Sequence, residues 1–164
     1  MVIEFEPVTR EIATLIEEWE LKLSGLSTGV ITERKNSQNR TIKQILGHLI
    51  DSASNNIHRY VHLQYRESPL EFPNYASEGN NDRWIAIQQY QTEDWEKMIR
   101  LWIYINYHLI HVIRYINPEK LDNVWIAAPG RHISLKEMVI DYLRHLKLHL
   151  AEISDLITSE KPLS

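Results

Sequence analysis

Apolar residues recur along the chain at three- and four-residue intervals over four long stretches, the spacing that places them on one face of an α-helix. The first stretch runs from about Thr9 to Ser24, with Ile12, Leu15, Ile16, Trp19 and Leu23 on its stripe, Glu11 in its first turn and Gly25 as its stop. The second opens on Thr41 and Gln44, a capping-box pair in which each side chain satisfies a backbone N–H of the first turn. Ile42, Ile45, Leu46, Leu49, Ala53, Ile57 and Tyr60 continue it to about Gln64. The third starts at Thr92, with Glu93 and Asp94 in its first turn. Its inner stripe is Trp95, Ile99, Trp102, Asn106, Leu109, Ile113 and Ile116, and Asn117-Pro118 ends it. A second capping box, Ser134 with Glu137, opens the fourth, which runs to about Ile157.

The intervening segments lack a period. GLSTGVITERKNSQNR reads as a polar loop, and RESPLEFPNYASEGNN as a long loop by its Pro, Asn and Gly content. A short helix over Arg83 to Gln89, capped by Asp82, follows it. VWIAAPGRHIS suggests a small hairpin around Pro129-Gly130. The pattern predicts an all-α fold: one domain over residues 1–164, a four-helix bundle with a long connection between its second and third helices and at most a hairpin before the last.

Composition narrows the chemistry. The chain of 164 residues has no cysteine, which excludes disulfides, thiolate metal sites and a cysteine nucleophile. Its 18 basic and 22 acidic residues give a formal net charge of −4, which argues against nucleic acid as a partner. The basic cluster ERKNSQNR is short and lies in a loop. The N-terminus lacks the pattern of a signal peptide, and the most apolar run, LWIYINYHLIHVI, is too polar to span a bilayer. A cytoplasmic protein without a membrane association is the expectation.

Eight histidines are the unusual inventory. His58/His62 and His145/His149 have the i, i+4 spacing that projects two imidazoles from one helix face toward a metal. His48 is the best third ligand: it shares a polar face with Gln44, Ser52, Asn55 and Arg59, with Asp51 at the border. The fourth helix carries a matching strip, Asp141, His145, His149 and Glu152, with Tyr142 alongside. His58/His62 stays open as the alternative pair, although His62 lies roughly 21 Å along the helix from His48 and cannot share its metal. Three imidazoles leave a coordination position open for water or substrate; zinc or nickel suits them. Asp141 or Asp51 would orient a ligand's second ring nitrogen. Arg59 would hold a carboxylate, with Asn55 and Tyr142 as neutral hydrogen-bonding groups. The plain structural readings are a solvent-facing Arg59 and a Tyr142 packed in the core. His108 and His111 read as surface or interface residues, His132 as solvated, and Trp95 and Trp102 as core.

TIKQILGHLIDSASNNIHRYV and DYLRHLKLHLAEI, with FPNYASEGNNDRWIAIQQYQTEDWEKMIRLW between them, resemble the DinB-like family of four-helix-bundle proteins from about Thr41 to Ile153. The resemblance puts the family's metal-binding histidines on His48, His145 and His149, and implies an up-down-down-up bundle that forms a homodimer. It also implies metal-dependent chemistry on a small molecule: transfer of a low-molecular-weight thiol such as bacillithiol or mycothiol, isomerisation of maleylpyruvate, or hydrolysis. The other reading is a non-catalytic dimeric interaction protein with a structural or vestigial metal site. One departure stands out: the family's HHxGQ-like ending is replaced by His149-Leu150-Ala151-Glu152.

Overall fold

A computed structural model describes residues 2–159; residues 1 and 160–164 of the expected domain lie outside it. Its helices are α1 (Glu6–Ser24), α2 (Thr28–Glu33), α3 (Ile42–Tyr65), α4 (Asn80–Ile87), α5 (Trp95–Arg114) and α6 (Leu135–Thr158). The hairpin consists of β1 (Val124–Ala128) and β2 (Arg131–Ser134).

Contacts at the helix ends give the direction of each bundle helix. The Trp95 indole N–H donates to the Leu23 carbonyl at 3.1 Å, so α5 starts where α1 finishes. Thr41 bonds Gln91 at one end of α3 (2.7 Å), and Asn117 N–H donates to Gln64 at the other (2.9 Å), so α3 and α5 run parallel. The Tyr60 hydroxyl, late in α3, donates to the Met138 carbonyl, early in α6, at 3.1 Å. The topology is therefore up-down-down-up, with α3 and α5 each packed against a neighbour on either side and α1 parallel to α6. Two parallel neighbours need a connection as long as the bundle itself, and residues 66–94 supply it.

Both capping boxes form. Thr41 N–H donates to Gln44 (2.9 Å) and Gln44 N–H to Thr41 (3.3 Å); Ser134 and Glu137 repeat the exchange at 2.8 and 3.2 Å. The apolar stripes fill one core in which Ile12, Ile16, Leu46, Trp102, Leu109 and Leu146 are fully enclosed. The hairpin pairs Trp125 with Ile133 in an antiparallel register, bulges near Ala127, and turns at Gly130 with φ 73°. Leu70, from the long connection, bonds Val124 and Ile126 and so ties that connection to the hairpin.

Three local expectations need correction, and the basic loop gains a role. The segment after α1 contains α2, a single helical stretch too short to show a period. α4 starts at Asn80, and Asp82 lies in its first turn; the cap is Gly79, in the left-handed region. α5 starts at Trp95, because the Asp94 side chain accepts from the Lys97 N–H and so occupies the cap, not the first turn. The basic residues after α2 serve the fold: Arg34 donates to the Leu156 and Ile157 carbonyls at the end of α6, and Arg40 pairs with Asp82 at 2.6 Å. Among the described residues, no helix is long and apolar enough to cross a membrane.

Candidate metal centre

Antiparallel packing of α3 and α6 brings His48 against the His145/His149 pair. The His145 Nε2 atom lies 3.3 Å from Nε2 of His48 and 3.1 Å from Nε2 of His149. His48 and His149 are buried, and His145 is half-buried. Burial, then the neighbouring His145 and His149 rings and Arg40, push the His48 imidazole down to about 2. Burial and His149 are the main causes that lower His145 to about 4. Near neutral pH both rings are therefore uncharged, and each has a nitrogen lone pair to offer.

The outer nitrogens are set differently from ring to ring. His149 Nδ1 lies 3.1 Å from Glu152 Oε2, the same oxygen that accepts from the Asn36 side-chain N–H at 3.0 Å. A carboxylate can only accept, so His149 donates a proton from Nδ1 and Nε2 is the atom turned toward the cluster. His145 Nδ1 lies 3.3 Å from the Ser52 hydroxyl. His48 Nδ1 is buried without a partner.

This donor set fits a divalent cation. The uncharged His48 and His145 rings bring their Nε2 atoms to 3.3 Å, and His149 Nε2 lies 3.1 Å from the same His145 atom, so ring nitrogens crowd around one point. Nitrogens each about 2.0–2.1 Å from one tetrahedral ion lie about 3.3–3.4 Å apart, close to the spacings of His145 from His48 and from His149. His48, His145 and His149 are a group of three whose candidate ligand atoms all lie within 4.8 Å.

The remaining expected residues divide. Ser52 stands beside His145, and Arg59 and Tyr142 line the adjoining cavity of about 490 Å³. Asp51 does not reach an imidazole: its Oδ1 accepts from the Tyr90 hydroxyl and the Gln88 amide, each at 2.7 Å. Burial raises its pKa. Asp141 is on the cavity rim, paired with Arg144 rather than with a ring nitrogen. Asn55 spends its amide on the Asp51 carbonyl and lies away from the cavity, which Asn56 lines instead. Tyr142 donates its hydroxyl to Asn106 at 2.6 Å, so only its ring faces a ligand. Arg59 is buried, not solvent-facing. His58, His108 and His111 are exposed, and His62 bonds Tyr65. His132 is exposed at the cavity mouth.

Three contributors were missed: the Asn36–Glu152 pair, Tyr75 from the long connection and Trp125 from β1. Glu152, at i+3 from His149, was visible on the polar strip and could have been assigned. Tyr75 and Trp125 had only their position in segments too long or too aromatic for simple linkers.

No curated protein matches the sequence. Among solved structures, YfiT from Bacillus subtilis, described as a probable metal-dependent hydrolase with an unusual four-helix-bundle topology, superposes with a TM-score of 0.75 at 18% identity, over 92% of this chain and 86% of that one. A mycothiol-dependent maleylpyruvate isomerase superposes with a TM-score of 0.70 at 17% identity, over 87% of this chain. The match takes in 57% of that enzyme, so this chain spans little more than half its length. At these identities the likeness speaks for the fold. The sequence itself matches the DinB superfamily over residues 11–153, and the chain belongs to that superfamily.

Proposed function

We propose that the protein is a divalent-metal-dependent enzyme acting on a small molecule, with His48, His145 and His149 as its ligands and zinc or nickel as its ion. The observation that carries this reading is the convergence of three imidazoles, with Nε2 of His145 3.3 Å from that of His48 and 3.1 Å from that of His149, beside a cavity of about 490 Å³. Such a volume suits a metabolite-sized ligand. A bound divalent ion would supply Lewis acidity that makes a thiol or water nucleophilic near neutral pH. The chain's own groups prepare the place: Glu152 orients the His149 ring and Ser52 meets the outer nitrogen of His145. With no cysteine in the chain, a thiol transferase would take its sulfur from a low-molecular-weight thiol cosubstrate. Hydrolysis would use water.

Elemental analysis of tag-free protein tests the reading, with about one divalent ion per chain expected and lost in His145→Ala and His149→Ala. Thiol-dependent consumption of a model electrophile should disappear in His48→Ala while the circular dichroism of the bundle persists. Full metal content in the histidine variants would move the site elsewhere. Wild-type protein inactive with every thiol and every ester tried would retire the enzymatic reading.

A non-catalytic dimer has one observation in its favour. The outer face of α5 exposes Leu101, Tyr104 and Tyr107, with Tyr115 beyond its end. Sedimentation of wild type against Tyr104→Glu tests that surface. A dimer with metal and turnover fits the enzyme; a dimer with neither favours the interaction protein.

A further inference from the structure

Arg59 lies two helical turns beyond Ser52 on α3, about 10 Å along the axis, and is 95% buried, with 5% of its surface exposed. Its Nε and Nη2 atoms have no hydrogen-bond partner, and no carboxylate among the described residues pairs with it. The guanidinium carbon lies 4.0 Å from the Trp125 ring centroid and 5.6 Å from that of Tyr75. Two aromatic faces thus seat the cation and none neutralises it. Burial lowers its pKa to about 10, still high enough to keep it charged at neutral pH. A buried, unpaired cation is costly to a fold unless something compensates it, and Arg59 lines the same cavity as His145.

The nearby acids are not available as partners. Glu137 is committed to the α6 capping box and Asp141 to Arg144. Arg131 adds a further positive charge on the rim. In a chain of net charge −4, the cavity therefore presents an uncompensated cation at its wall.

We infer that Arg59, seated between Trp125 and Tyr75, is the anchor for a carboxylate of the substrate or cosubstrate, so that the enzyme selects small organic acids over their neutral analogues. The inference rests on the enzymatic reading above and adds the substrate's charge and reach. Nε and Nη2 form one edge of the planar guanidinium, the edge that grips a carboxylate through two parallel hydrogen bonds. Both atoms are sealed from solvent, so an entering acid would have to turn the guanidinium on its aromatic seat to reach this edge. Tyr75 sets the reach. Its ring centroid lies 6.1 Å from that of His48, so guanidinium and imidazole are separated by no more than about 12 Å. An acid of a few carbons spans the remaining gap between the two.

The test uses full-length tag-free protein, glutarate as the probe and glutaramide as its neutral match. The Trp125 indole N–H resonance is followed by NMR, before and after treatment with a chelator. Glutarate should shift that resonance saturably and glutaramide should not; Arg59→Met should weaken glutarate at least tenfold, with Arg59→Lys intermediate. Equal affinity in Arg59→Met, or equal responses to acid and amide, overturns the assignment. A response abolished by chelation and kept in Arg59→Met belongs to the ion and also overturns it. A response that survives chelation and depends on Arg59 supports the anchor even if the histidines prove to hold no metal. Removing an unpaired buried charge should leave the melting temperature unchanged or higher. If Arg59→Met fails to fold, the guanidinium is structural, and a glutarate affinity in Arg59→Lys equal to wild type then sinks the anchor.

Discussion

Glu152→Ala isolates the contribution of ligand orientation to metal affinity. In the wild-type protein the Glu152 Oε2 atom bonds both His149 Nδ1 (3.1 Å) and the Asn36 side chain (3.0 Å). Without it, His149 can carry its proton on Nε2, the nitrogen that faces His145, and must switch tautomer before it offers a lone pair there. A hydrogen bond to a charged partner is worth about 1.5–3 kcal/mol, and the 27% exposure of the Glu152 side chain argues for the lower part of that range. The expected loss is about tenfold to thirtyfold in zinc affinity, about 1.4–2.0 kcal/mol. Competition with a chromogenic chelator at neutral pH measures it. Asn36→Ala, which removes one neutral hydrogen bond, should cost about fivefold. The double variant should be no worse than Glu152→Ala alone, because both act on one imidazole. An affinity for Glu152→Ala within twofold of wild type would refute the orienting role, and additive losses would refute the shared route.

Three further substitutions probe the frame around the site. A methyl group on Gly47 would stand 2.2 Å from Cδ2 of Tyr90; Gly47→Ala should displace that ring, strip Asp51 of its hydroxyl donor and cost about 2–4 kcal/mol, or roughly 5–15 °C in Tm. An unchanged Tm would mean the ring moves freely. Burial raises the Asp51 pKa, so between its unfolded value of 3.8 and its folded value the native state binds more protons than the unfolded one, and the carboxylate's cost grows as pH rises through that window. Asp51→Asn should accordingly gain stability relative to wild type at pH 7 and lose that gain as pH falls toward 4 in urea titrations; a difference independent of pH contradicts the assignment. Arg34→Ala removes both guanidinium bonds to the end of α6 and should cost about 1–2 kcal/mol, with faster amide exchange confined to the last turns of that helix.

The parts of the fold readable in sequence are those governed by local rules. Capping boxes at Thr41 and Ser134 depend on residues three apart, and both helix starts follow from them. The polar strips bearing His48 and His145/His149 were visible because helical periodicity sorts side chains onto faces. Asp94 was placed inside a helix it caps, since Thr92 and Asp94 are both acceptable caps and only the tertiary setting selects one. Asp51 shares a border with His48 in projection, yet Tyr90, 39 residues away, decides where its carboxylate points. Arg59 looked equally suited to solvent, and its burial depends on Tyr75 and Trp125, which no local pattern links to it. Distant pairings of this kind leave no period to read.

Because α3 and α5 run in the same direction, residues 66–94 must travel back along the bundle before α5 can begin, and they pass the cavity on the way. The histidines ride on rigid helices, whereas Tyr75 and Trp125 ride on that return path and the hairpin it is stitched to through Leu70. The histidines and Arg59 are thus fixed by helices, whereas the aromatic walls beside them come from segments that relatives could exchange without disturbing the bundle.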